Sequence, residues 1–79
     1  MSASGYWEFE TRRGTFRIVP KDGGFHPFFE DEDLGHYHSA EAALDDLVGG
    51  HTSWPSNGID PSTCDLPEEL AEWRLGPPT

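Results

Sequence analysis

Seventeen residues, Leu34 to Gly50, confine this chain to a helix laid on a sheet. Ser39 has the side chain of an N-cap, able to accept a bond from a free N–H of the first turn. Glu41 sits in that turn, where a carboxylate meets the positive end of the helix dipole. Ala40, Ala43, Leu44, Leu47 and Val48 recur at i, i+3, i+4, i+7 and i+8 and form one apolar stripe. Gly49 and Gly50 supply the left-handed residue that closes a helix. A helix with one apolar stripe needs a surface to cover it, and the chain before it supplies alternating strands.

Tyr6 to Glu10 places Trp7 and Phe9 on one side and Tyr6, Glu8 and Glu10 on the other. Thr15 to Val19 does the same with Phe16 and Ile18, and Pro20 is expected to end it. Lys21-Asp22-Gly23-Gly24 carries hairpin-turn chemistry. Phe25 to Glu30 is a third strand, with Pro27 marking a bulge or an edge. Glu30-Asp31-Glu32-Asp33 reads as an acidic turn, and Leu34 to His38 as a short fourth strand or an extended lead into the helix. The fold class is α+β, a three- to four-stranded antiparallel meander with the main helix on one face. The 51–63 stretch is a polar loop whose Trp54 and Ile59 are expected to dock on the body. Leu66, Leu70 and Trp73 share one face of a short C-terminal helix, capped by Thr63 or Asp65 and stopped by Gly76. A single domain is expected over 6–75, between polar tails at 1–5 and 76–79.

A 79-residue chain buries limited surface. Its three Trp, five Phe and two Tyr build a core from few side chains and argue against disorder. Cys64 is the sole cysteine, so no internal disulfide is available, and a reducing cytoplasm is the expected setting. Neither a signal-peptide pattern nor a run of membrane-spanning length is visible.

The charge is strongly polarised. Residues 1–21 carry Glu8 and Glu10 against Arg12, Arg13, Arg17 and Lys21, a balance of +2. Residues 22–79 carry thirteen acids against Arg74 alone, −12. That field repels nucleic acid and attracts basic surfaces. Asp45 and Asp46 sit near the negative end of the helix dipole, and Glu41 and Asp45 are like charges at i, i+4. Together these features cost the helix about 1 kcal/mol. Folding does not ask for them.

The segment Leu34-Gly-His-Tyr-His-Ser-Ala-Glu-Ala-Ala resembles the strand-to-helix join of small three-stranded DNA-binding modules. The arm-binding domain of phage integrases and the plant ethylene-response domain are of that kind. The resemblance implies that Tyr37 lies under the helix and that Ala40 and Ala43 pack on the sheet. Those modules present a basic sheet to DNA, whereas the later strands here are acidic. Gly49-Gly50-His51-Thr52 and Leu66-Pro67-Glu68-Glu69-Leu70-Ala71-Glu72-Trp73 make the chain similar to short uncharacterised bacterial or phage proteins, which implies no activity. In size and acidity the chain also resembles phage-encoded anti-CRISPR inhibitors.

No catalytic motif is present, and an enzyme is not expected. The loop serines lack a nucleophile elbow, and Asp65 beside Cys64 disfavours a thiolate. The glycine pairs lack the spacing of a phosphate loop, and no cofactor is expected. His36 and His38 would share one face of a strand, where two imidazoles could hold zinc or nickel with Glu41 or a residue from elsewhere. His26 and His51 have no partner that the sequence names. The leading expectation is a non-enzymatic acidic protein-binding module that occludes a basic nucleic-acid-binding surface, as an anti-CRISPR-like inhibitor would. Glu30, Asp31, Glu32, Asp33, Asp45 and Asp46 are the candidate contacts, with Glu68, Glu69 and Glu72 extending the surface. The alternatives are a small domain that binds a metal or ligand through His36 and His38, and a structural homodimer held by the opposite charge poles.

Overall fold

In a computed structural model, which describes residues 5–76, five antiparallel strands form one sheet. The strands are β1 (Tyr6–Thr11), β2 (Gly14–Lys21), β3 (Gly24–Phe29), β4 (Glu32–Asp33) and β5 (Arg74–Gly76), in the order β4-β3-β2-β1-β5. One helix, α1 (Ala40–Gly49), packs on one face. The class is the expected α+β, with one strand more than the sequence implied.

Register explains the core. Trp7 stands opposite Ile18, Phe9 opposite Phe16, Phe16 opposite Phe29, and Ile18 opposite Pro27. All lie on the face that α1 covers, where Phe16 and Ile18 are fully buried. Pro20 does not end β2, which pairs on to Lys21 opposite Gly24. The two-residue turn that follows has φ of 54° at Asp22 and 77° at Gly23, as a type I′ hairpin requires.

The acidic segment is a turn only at Glu30 and Asp31, because Glu32 and Asp33 pair with Phe29 and Phe28 as β4. That register would place His36 opposite Phe25, yet Tyr37 takes the position and exchanges both backbone bonds with Phe25 at 2.7 and 2.8 Å. One extra residue is therefore accommodated between Asp33 and Tyr37. Gly35, at φ 147°, absorbs this bulge. Of the two expectations for 34–38, the extended lead into the helix holds: the fourth strand is Glu32–Asp33, and a bulge and a single bridge at Tyr37 follow it.

α1 begins and ends where its sequence directs. Ser39 Oγ accepts the Ala42 N–H at 3.0 Å, and Gly50, at φ 76°, donates its N–H to the carbonyls of Asp46 and Leu47. Ala40, Ala43, Leu44 and Leu47 are buried against the sheet, as the join pattern implied. Tyr37 is half-buried beside them.

The C-terminal part departs from the expected α-helix. Only a 3-10 turn forms, over Leu70–Glu72, and the chain then joins the sheet as β5 beside β1. Pro67 offers no N–H, Glu68, Glu69 and Glu72 repel at helical spacing, and so short a helix is marginal alone. Leu66 and Trp73 are buried without it, and the Trp73 ring lies 5.8 Å from that of Phe9. Trp73 Nε1 donates to the Pro67 carbonyl at 3.0 Å. Gly76, expected in a tail, is thus part of the sheet edge, and Met1–Ser4 and residues 77–79 lie outside the described residues. In the 51–63 loop Ile59 packs on the core, but Trp54 remains 48 % exposed. Among the described residues no helix is long and apolar enough to cross a membrane.

Candidate functional site

The six candidate carboxylates separate into two kinds. Four of them have partners within the fold. Glu30 Oε2 accepts the Thr15 N–H at 2.8 Å and fastens the β3–β4 turn to β2. Glu32 accepts the Ser56 N–H on both oxygens at 3.0 Å and also the Ser56 hydroxyl, which anchors the long loop to β4. Asp33 accepts from His26 Nδ1 at 2.8 Å and from the Gly35 N–H at 3.0 Å, and Lys21 Nζ lies 3.5 Å away. Asp46 accepts the Tyr37 hydroxyl at 3.0 Å. Asp31 and Asp45 are exposed, and among the described residues their side chains make no hydrogen bond or ion pair.

Two titrations bear the imprint of these contacts. Burial works to raise the Asp33 pKa, but the bonds from His26 and Gly35 and the charges of His26 and Lys21 carry it below 3.8. Burial, together with the bond to Asp46 and its negative charge, pushes the Tyr37 phenol up to about 12. These carboxylates therefore serve the fold directly, whatever else they meet.

An acidic hollow forms elsewhere. Glu41, Ala42, Leu44 and Asp45 of α1 face Glu68, Glu69, Leu70 and Ala71 across a groove of about 580 Å³. A smaller hollow of about 240 Å³, lined by Leu44, Asp45, Val48, Gly49 and Glu68, continues it along the helix. The lining holds four carboxylates and no cationic side chain. Leu44, Val48 and Leu70 give it an apolar floor. Local structure sets this arrangement. The helical i, i+4 spacing aims Glu41 and Asp45 the same way, and the turn at Leu70–Glu72 holds Glu68 and Glu69 opposite. Asp45 is the only member of the six-residue candidate set in the groove.

His36 has a neighbour that the sequence did not name. The bulge at Gly35 sets His36 against His26 of β3, ring centroids 4.8 Å apart and edge to face, and both His36 and His38 are exposed. Among the described residues no cluster of three or more His, Cys, Asp or Glu side chains is spaced to hold a metal ion. Cys64 is buried, with Sγ 3.7 Å from the Asp60 carbonyl.

No family model matches the chain, and neither a curated protein nor a solved structure shows significant similarity to it.

Proposed function

We propose that this protein is a non-enzymatic acidic module that binds a basic protein surface, and that the groove between α1 and residues 68–71 is its principal contact. One observation carries the reading. Four carboxylates without partners among the described residues rim an apolar floor, and no cation lines it. Such a groove suits a cationic segment that carries an aliphatic or aromatic anchor, because charge steers the encounter and the apolar contact holds the complex. A basic nucleic-acid-binding channel has that character, so occlusion of such a channel, in the manner of an anti-CRISPR-like inhibitor in the cytoplasm, is the specific role we assign. Asp31 adds to the field at the far hairpin.

A synthetic amphipathic peptide of alternating leucine and lysine serves as the probe. Its affinity is expected to fall steeply from low to high salt, as screening between exposed charges requires. Asp45→Lys and Glu68→Lys are each expected to weaken it by about tenfold, on the scale of one or two lost charge contacts. Asp31→Lys, outside the groove, is expected to weaken it less. An affinity indifferent to salt, or equal losses at all three positions, would show that the groove is not the contact.

A further inference from the structure

His26 stands apart from the other polar side chains. It is buried, at 8 % exposure, and its Nε2 is the one buried side-chain nitrogen or oxygen among the described residues that lacks a hydrogen-bond partner. Leaving such an atom unpaired forfeits its hydration with nothing in return. Its other nitrogen, Nδ1, lies 2.8 and 2.9 Å from the two Asp33 oxygens. A carboxylate accepts only, so Nδ1 carries the proton, and in the neutral ring the Nε2 lone pair is free. A carboxylate that holds Nδ1–H while Nε2 faces a ligand is the usual support of a metal-binding histidine. The sheet bonds of β3 and the Gly35 N–H bond to Asp33 fix both members of the pair.

A second imidazole is next to it. His36 lies edge to face with His26 at 4.8 Å and rests on Gly24, two residues earlier on the same strand face. A side chain at Gly24 would collide there: its Cβ would come within 2.6 Å of His36 Nε2 and 2.5 Å of the Tyr37 carbonyl. The backbone bonds between Phe25 and Tyr37 hold the segment in place. His36 itself is exposed and can turn its ring towards an incoming ion. Lys21 and Phe28 border the pair, with Lys21 Nζ drawn to Asp33 and over the Phe28 ring rather than to the imidazoles.

We infer that His26 and His36 form a two-histidine site for a borderline divalent ion, zinc, nickel or copper, with Asp33 as the positioning carboxylate behind His26. Imidazole nitrogen suits these ions. Two protein donors leave the remaining positions to water or to a donor from a partner, so the ion is exchangeable rather than structural. The overall charge of −10 favours its approach. This site is separate from the groove and does not depend on it.

Zinc alone is the probe, added to the full chain and followed by the imidazole nitrogen resonances. At one equivalent, Nε2 of His26 and a ring nitrogen of His36 are expected to shift, while His38 and His51 stay in place. His36→Ala, at an exposed position, is expected to weaken zinc binding at least about tenfold with an unchanged circular dichroism spectrum, as the loss of one of two ligands requires. Asp33→Asn is expected to weaken it by about 10–100-fold, in the range for supporting carboxylates. His38→Ala is expected to bind as the parent does. A parent protein whose His26 signal ignores zinc, or a His36→Ala variant that binds zinc undiminished, would overturn the inference.

Discussion

The hydroxyl of Tyr37 reaches 3.0 Å to Asp46, and so joins the segment before α1 to the helix itself. A folded-state pKa of about 12 against an ordinary 10.0 means that the native protein holds this proton more tightly than the unfolded chain. The raised value fixes the sign. The bond's contribution is complete below pH 10.0 and is lost as pH climbs through about 12. Tyr37→Phe deletes the donor and leaves the Asp46 carboxylate to water. It is expected to cost about 1 kcal/mol near neutrality, the usual value of one such bond. Alkaline denaturation is expected to show the difference between parent and variant shrinking over that same interval. An ultraviolet titration should lose the step near pH 12. Asp46 thus has a structural duty that its place on the helix face did not disclose. Helical spacing showed where it sits, but the partner comes from an extended segment nine residues back.

Elements whose instructions are local were legible, and those that depend on distant partners were not. Ser39, the apolar stripe and the glycine pair fixed α1 because capping and periodicity act within a few residues, and Asp22-Gly23 fixed its hairpin for the same reason. The αL closure at Gly50 is demanding. A Cβ there would lie 2.8 Å from Asp60 Oδ1 in addition to requiring φ of 76°. Gly50→Ala is therefore expected to lower stability by about 1–2 kcal/mol, a fall in Tm on the order of 4–16 °C for a domain of this size, readable in a thermal melt. β5 carried no comparable local signal. Leu66, Leu70 and Trp73 fit a helical face, but Trp73 is satisfied by Phe9 from the opposite end of the chain, and the backbone follows it to the sheet edge. The pairing of His26 with His36 was hidden behind one residue of register. Gly35 within an apparent strand was the available sign of a bulge. The candidate site was legible as a sign of charge and not as a shape, because the groove exists only where the 68–71 segment turns instead of continuing as a helix.

At the scale of the whole molecule, stability and the proposed function pull on the same carboxylates in opposite directions. Glu41 and Asp45 repel along α1, Asp45 lies in the helix half with no basic residue in its last turn, and Glu68 faces both hollows that Asp45 lines. Asp45→Lys relieves this repulsion, sets up a favourable Glu41–Lys spacing and suits the negative helix end. It is expected to raise stability by about 0.5–1 kcal/mol at low ionic strength, or a few degrees in Tm, with the gain shrinking as salt screens the charges. The same variant is expected to bind the cationic probe more weakly. Asp31→Lys separates the effects, since Asp31 lines neither hollow and its side chain has no partner among the described residues, and it is expected to leave stability nearly unchanged. On a solvated helix face with no partner, Asp45→Lys would gain stability and weaken the probe no more than Asp31→Lys does. A groove kept acidic for a cationic counterpart makes this one substitution strengthen the fold while it weakens the complex beyond the loss at Asp31. Paired thermal melts and peptide titrations on that variant measure both sides of the exchange.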